Sequence, residues 1–133
     1  MSAASEEMVE GGCLCGAVRL RASGPPKRVG ICHCLDCRKH HGAPFFAAAI
    51  YAPAMVEISG QTQHYNGRHF CPICGSSVFA VFGDELDVHL GTLDQPSRFA
   101  PEYELWTRRR EQWLPAFSGL RHYRQDRDDG NTD

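Results

Sequence analysis

The stretch Cys32-His33-Cys34-Leu35-Asp36-Cys37 places three cysteines within six residues. Four more cysteines form two pairs outside it, Cys13 with Cys15 and Cys71 with Cys74, which makes seven in all. An odd number leaves one cysteine over in a closed disulfide framework. A structural zinc takes four protein ligands, whereas a catalytic zinc takes three and keeps one position open. The cysteine count therefore predicts a closed four-cysteine site and an open three-cysteine site, with two Zn²⁺ ions per chain.

Length and composition describe one ordinary globular domain. The chain has 133 residues, of which 42% are hydrophobic and 23% charged, and its formal net charge is -2. A net negative charge disfavours non-specific nucleic-acid binding, which relies on Lys and Arg. No apolar run approaches the roughly 20 residues that a membrane helix needs, and the amino terminus lacks the basic-then-apolar order of a signal peptide. We therefore expect no nucleic-acid or membrane partner. We also expect a cytoplasmic location, a reducing compartment in which neighbouring cysteines bind metal more often than they form disulfides.

Short alternating segments separated by turn residues predict a mainly β fold, a β-sheet structure held together by zinc with one or two short helical turns. We expect a disordered leader over residues 1–9, the zinc-binding domain over 10–125 and a polar tail over 126–133. A helix of at most two turns is predicted over 35–41, with Gly42 as its stop. The predicted strands are 17–22, 29–32, 45–51, 78–82, 86–90 and 103–107, with a hairpin of 56–58 and 62–65 around Ser59-Gly60.

The outer cysteine pairs have the spacing of a structural site. In Cys71-Pro72-Ile73-Cys74-Gly75, two residues between the cysteines allow a tight turn that brings both sulfurs onto one ion. Cys13 and Cys15 lie on the same face if their segment is extended. A zinc shared by the two pairs would join the amino end to the middle of the chain, and its binding energy would contribute to folding.

The central cluster leaves the fourth ligand open. Cys32 and Cys34 would share one face of a strand end with His33 on the other, and Cys37 follows in the first helical turn. His40, His41 or His69 could close this site and make it structural. With an open position, the metal could instead hold a substrate thiol as the thiolate or polarise a bound aldehyde.

Other residues carry weaker signals. Arg38 and Lys39 follow the cluster and could contact the carboxylates of a substrate thiol, or they could form an exposed helix face. The basic run 108–110 is short and lies in an acidic protein, which favours a solvated loop. Trp106 and Trp113 are expected to pack on the sheet.

Four linked motifs follow one another along the chain: Gly12-Cys13-Leu14-Cys15-Gly16-Ala17-Val18, Cys32-His33-Cys34-Leu35-Asp36-Cys37-Arg38-Lys39, Gly42-Ala43-Pro44-Phe45 and Phe70-Cys71-Pro72-Ile73-Cys74-Gly75-Ser76. In this order they resemble the glutathione-dependent formaldehyde-activating enzyme family, which shares its domain with centromere protein V. The resemblance spans roughly Gly11 to Trp113, and all seven cysteines have counterparts in the family.

The resemblance implies a β-tent fold with two zinc sites. It implies that the structural ion is held by Cys13, Cys15, Cys71 and Cys74, and the catalytic ion by Cys32, Cys34 and Cys37. It also implies carbon–sulfur lyase chemistry, in which formaldehyde and glutathione combine to S-hydroxymethylglutathione.

The resulting hypothesis is zinc-dependent addition of a thiol such as glutathione to a small aldehyde. The metal can lower the pKa of the thiol, and His33, His40 or His41 can carry the proton. Two alternatives stay open: a carrier that binds glutathione or another thiol without turnover, and a zinc-stabilised interaction domain. An open metal position separates the first two functions from the third, and turnover separates enzyme from carrier.

Overall fold

The structure is a computed structural model that describes residues 7–127. Within these residues the chain forms mainly β structure with a single α-helix, as predicted. The strands are β1 (Met8–Gly12), β2 (Arg19–Ser23), β3 (Arg28–Cys32), β4 (Phe46–Tyr51), β5 (Val56–Ser59), β6 (Gln63–Tyr65), β7 (Arg68–Phe70), β8 (Ser77–Phe82), β9 (Glu85–His89), β10 (Tyr103–Leu105) and β11 (Arg121–His122), and the helix is α1 (Leu35–His41). Short 3-10 turns cover Pro53–Met55, Leu90–Thr92 and Thr107–Arg109.

The strands form two sheets. The smaller sheet has three antiparallel strands in the order β1-β2-β5. The larger has eight, in the order β11-β10-β3-β4-β9-β8-β7-β6. Strand β10 runs parallel to both of its neighbours, β3 and β11, while the other pairs are antiparallel. Strands β3, β4 and β9 therefore lie in the interior of the larger sheet, each with a strand on both sides.

The core lies between the two sheets and follows from strand alternation. In β2, Leu20 is 2% exposed and Ala22 is fully buried, whereas Arg21 between them faces solvent. Val78 and Val88 from the larger sheet are also fully buried and belong to the same apolar cluster. Burial of apolar surface stabilises a core of this kind by about 25 cal/mol for each Å² removed from water, and this is its main stabilising contribution.

A short connection between β3 and β4 presents the central cysteines. Cys34 caps the amino end of α1, and its sulfur accepts a hydrogen bond from the backbone N–H of Cys37. Gly42 ends the helix in the left-handed conformation, with φ 60°, and its N–H donates to the carbonyl of Arg38. The predicted helix and its glycine stop agree with this geometry, because glycine adopts positive φ without steric cost.

The predicted hairpin around Ser59-Gly60 is wrong. Strand β5 pairs with β2 in the smaller sheet, whereas β6 pairs with β7 in the larger one. Gly60 has φ +91°, and a Cβ there would lie 2.0 Å from the carbonyl oxygen of Ala17, so the chain leaves the smaller sheet at this glycine. The true hairpin turn is Asn66-Gly67, where both residues have positive φ as a tight β-hairpin requires.

The described strands and contacts reach slightly beyond the predicted domain of residues 10–125 at both ends. Strand β1 begins at Met8, within the predicted leader, and pairs with β2 along its whole length. Asp126, the first residue of the predicted tail, accepts a hydrogen bond of 2.9 Å from the indole of Trp106. The rest of the predicted leader and tail, residues 1–6 and 128–133, lies outside the described residues. No helix in the described part of the chain has the length and apolarity needed to cross a membrane.

Candidate metal centres

The two outer cysteine pairs meet in one cluster. The sulfurs of Cys13, Cys15, Cys71 and Cys74 all lie within 4.8 Å of one another. The Sγ atoms of Cys13 and Cys15 are 3.6 Å apart, and those of Cys15 and Cys71 are 3.8 Å apart. The loop after β1 therefore meets the loop after β7, although the two are far apart in sequence. Four sulfurs at this spacing could hold one metal ion.

Backbone amides and one serine support these sulfurs. The N–H of Val18 donates to Cys13 Sγ at 3.2 Å, and the N–H of Ile73 donates to Cys71 Sγ at 3.4 Å. Hydrogen bonds from the hydroxyl and the backbone of Ser76 lower the pKa of Cys74 to about 5. Hydrogen bonds of this kind favour the thiolate form, which is the form that binds metal.

The central cysteines form a second cluster at the carboxyl end of β3, an interior strand of the larger sheet. The sulfurs of Cys32, Cys34 and Cys37 lie within 4.8 Å of one another. Strand β3 ends at Cys32, Cys34 caps α1, and Cys37 lies in the first turn of that helix, so three consecutive backbone features place the three sulfurs. Cys32 and Cys37 are each 8% exposed, whereas Cys34 is half-buried.

Cys34 is the cysteine of this cluster whose thiol ionises most readily. Hydrogen bonds with Cys32 and then Cys37 lower the pKa of the Cys34 thiol, and the same bond to Cys34 raises the pKa of Cys32. At Cys37, hydrogen bonds with Cys32 and Arg68 lower the thiol pKa, but the bond with Cys34 and burial raise it to about 12. Three close thiols cannot all ionise without a cation. All seven cysteines are free of disulfides, and both sulfur sets suit a thiophilic metal.

Histidine does not complete the three-cysteine site. Residues 7–127 include all seven histidines, and within that range no ring nitrogen, aspartate or glutamate groups with the three sulfurs within 4.8 Å. His41 stacks on Phe46 with ring centroids 4.6 Å apart. His69 stacks on Phe79 at 4.4 Å, and its Nδ1 lies 2.9 Å from the hydroxyl of Thr62. These rings are therefore held by contacts other than the sulfurs.

His33 faces away from the sulfurs into a buried polar network. Its Nε2 lies 2.8 Å from Oε1 of Glu104, and both side chains are fully buried. Glu104 also accepts hydrogen bonds from Nε of Arg110 at 3.3 Å and from the N–H of Phe117 at 3.0 Å, and its Oε2 lies 3.0 Å from Nε2 of His122. Burial lowers the pKa of His33, an effect that Glu104 opposes. The network attaches the carboxyl-terminal segment to the cysteine loop.

The two predicted substrate-contact residues differ in surroundings. Arg38 forms an ion pair of 2.6 Å with Glu111 and donates to the carbonyl of Arg109 at 2.8 Å. Lys39 is exposed and lines a groove of about 380 Å³ beside α1. Arg68, for which the sequence gives no prediction, lines the same groove from β7.

The two tryptophans are placed differently from each other. Trp113 is 67% exposed, so the prediction that it packs on the sheet is wrong. Trp106 is half-buried and adopts φ 56°, which is rare for a bulky residue. Its backbone N–H donates to the carbonyl of Gln125 at 2.9 Å, which together with the indole contact to Asp126 fixes this conformation.

Comparisons with known proteins identify similar folds and related sequences. A crystal structure of a Rhodobacter sphaeroides protein has a similar fold, with a TM-score of 0.53 at 21% identity over 67% of this chain and 91% of that one. An uncharacterized lyase of Schizosaccharomyces pombe is 30% identical over 78 residues, which are 55% of this chain and 57% of the relative.

A Halomonas elongata protein, provisionally named a glutathione-dependent formaldehyde-activating enzyme, is 33% identical over 87 residues, 54% of this chain and 55% of the relative. The chain thus spans little more than half the length of these two curated relatives. The family model described as glutathione-dependent formaldehyde-activating enzyme matches residues 8–109, which include all seven cysteines. The chain therefore belongs to the glutathione-dependent formaldehyde-activating enzyme family.

Proposed function

We propose that this protein is a zinc-dependent carbon–sulfur lyase that joins a thiol such as glutathione to a small aldehyde such as formaldehyde. The observation that carries the proposal is a cluster of three cysteine sulfurs with no histidine or carboxylate completing it among residues 7–127. Three protein ligands and one free position are typical of catalytic zinc. Membership in a family named for glutathione and formaldehyde supports the choice of substrates.

In this proposal the two clusters have different tasks. Cys13, Cys15, Cys71 and Cys74 hold a structural zinc that joins the loops after β1 and β7, while Cys32, Cys34 and Cys37 hold the catalytic zinc. Zinc bound there would favour the thiolate form of an incoming thiol and polarise the carbonyl of an aldehyde. The free cysteines suit a reducing compartment such as the cytoplasm.

The protein's own residues position the reaction and handle its proton. Addition forms one bond between sulfur and the carbonyl carbon, and the proton that the thiol gives up ends on the new hydroxyl oxygen. His33 is fully buried against Glu104, so it cannot reach a substrate. Burial lowers the pKa of both His40 and His41, for His41 to about 4, so both rings are neutral at neutral pH. His40 lines the groove beside α1 and is the better placed proton carrier.

Glutathione binding followed by calorimetry tests the proposal. A free cysteine thiol has a pKa of about 8.5, so a thiol held as the thiolate at neutral pH should release close to one proton per chain. Titrations in buffers of different ionisation enthalpy measure that proton. Formaldehyde added to the complex should then form the adduct faster than the uncatalysed background.

The alternatives predict different outcomes of the same experiment. Binding with proton release but without acceleration for any aldehyde identifies a thiol carrier. Failure of glutathione and of any other small thiol to bind identifies an interaction domain and contradicts both thiol-dependent functions. The variant Cys37→Ser is the control, since it removes one of the three sulfurs that the proposal requires.

A further inference from the structure

A groove runs along α1 beside the three-cysteine site. It has a volume of about 380 Å³ and lies between the helix and the β6–β7 hairpin. It is lined by Asp36, Lys39, His40, Tyr65, Asn66 and Arg68. Two of these side chains are cationic and one is anionic, so the groove is positive on balance and suits an anionic ligand.

Arg68 is the unusual residue in this groove. It is half-buried, and its guanidinium lies over the ring of Phe82, 5.3 Å from the centroid. Among residues 7–127, none of the ion pairs formed with Asp or Glu includes Arg68. A partly buried cation is costly without an opposite charge, so an anion entering the groove would be stabilised there. Asp36 and Lys39, which line the groove, flank Cys37 on α1, so the groove adjoins the three-cysteine cluster.

Lys39 supplies a second cation on the other wall. It follows Cys37 by two residues on α1, faces solvent and forms no ion pair with a described residue. Arg38 is not equivalent, because Glu111 already neutralises it at 2.6 Å. Lys39 and Arg68, which form no ion pair with a described carboxylate, therefore line the groove, whereas the paired Arg38 does not.

We propose that Arg68 and Lys39 form a carboxylate-binding subsite beside the three-cysteine site and select thiols that carry a carboxylate. This inference rests on the proposed function and specifies its thiol substrate. The planar guanidinium of Arg68 can donate two parallel hydrogen bonds to a carboxylate, and Lys39 adds a point charge. Glutathione, with two carboxylates, fits such a subsite, whereas cysteamine, a thiol without a carboxylate, has nothing to place in it.

The test compares the dissociation constants of these two thiols across variants of the metal-loaded protein. Arg68→Gln should weaken glutathione binding about 10- to 100-fold, the loss expected for a charge-assisted hydrogen bond. Cysteamine binding should change by less than about threefold, since no contact to it is lost. Arg68→Lys should recover part of the glutathione affinity, and Lys39→Gln should cause a smaller loss than Arg68→Gln.

Arg98→Gln is the matched control, because Arg98 lies in a different groove beside β1 and carries the same charge. Metal content is measured for every variant, so a loss of zinc is not mistaken for a loss of contact. Equal weakening of both thiols by Arg68→Gln would overturn the inference, since Arg68 would then act on the charge of the sulfurs. Unchanged glutathione affinity would also overturn it. If the wild type binds cysteamine and glutathione equally well, the subsite is refuted while the proposed thiol chemistry stands, whereas binding of neither refutes both.

Discussion

Glu104 shows how a single buried residue supports the candidate active site without touching a substrate. The carboxylate is fully buried and satisfied by His33, Arg110 and the N–H of Phe117. His33 lies between β3 and α1, whereas Arg110 and Phe117 both lie between β10 and β11, so this one side chain connects those two segments to β10. Nothing in the sequence identifies Glu104, because an isolated glutamate in a three-residue strand carries no local signal.

Removing this carboxylate should be strongly destabilising. Glu104→Ala leaves the buried groups around it without their partner, and we expect a loss of about 3–5 kcal/mol in the free energy of unfolding. Glu104→Gln should cost less, because the amide keeps the shape and one acceptor. Denaturant unfolding measures both. Glu111→Ala is the control, since its partly exposed pair with Arg38 is worth at most about 1 kcal/mol. Equal costs for Glu104→Ala and Glu111→Ala would contradict the role of the buried network.

At the scale of elements, local patterns predicted most strands but not their partners. The strands around 29–32, 45–51, 78–82 and 86–90 follow from alternation and turn residues, and the structure contains them. The wrong hairpin arose because proximity in sequence favoured pairing β5 with β6, whereas the register of the smaller sheet gave β5 to β2. Strand β10 pairs with β3 across more than 70 residues of chain, a contact that no local pattern specifies. The sequence identifies the cysteines because their spacing is a local pattern. It does not identify Arg68, because no local pattern shows that β7 lies beside α1.

The pairing of β3 with β10 depends on Gly30. A Cβ at this position would lie 2.0 Å from Cε1 of Tyr103, so the aromatic ring occupies the space that any larger residue needs. Gly30→Ala should therefore cost about 1–3 kcal/mol of stability through overpacking. Gly91→Ala is the control, because a Cβ there meets nothing within 4 Å. Thermal unfolding of both variants measures the difference, and an unchanged melting temperature for Gly30→Ala would contradict the close packing of Tyr103.

At the scale of the whole molecule, the two cysteine clusters should contribute differently to folding. The four-cysteine cluster joins the loop after β1 to the loop after β7, whereas the three-cysteine cluster lies within the short β3–α1 connection. A metal that joins distant segments contributes its binding energy to the folded state. We expect Cys71→Ser to lower the melting temperature by roughly 10 °C or more and Cys37→Ser by only a few degrees.

Metal analysis of the same two variants separates stability from binding. Each should lose about one zinc ion per chain, while only Cys37→Ser should lose thiol binding with the fold retained. Equal thermal destabilisation by the two substitutions would contradict the division into a structural and a catalytic site.

The central claim is that the three-cysteine site keeps one position for a substrate thiol. Zinc-edge X-ray absorption spectroscopy of the metal-loaded protein, with and without glutathione, tests it most directly. With four sulfurs at one site and three at the other, the average should be about 3.5 sulfurs per zinc, rising to about 4 when glutathione binds. An average that stays at about 3.5 with saturating glutathione, together with the scattering of an imidazole ligand, would contradict the account and assign a structural role to both sites.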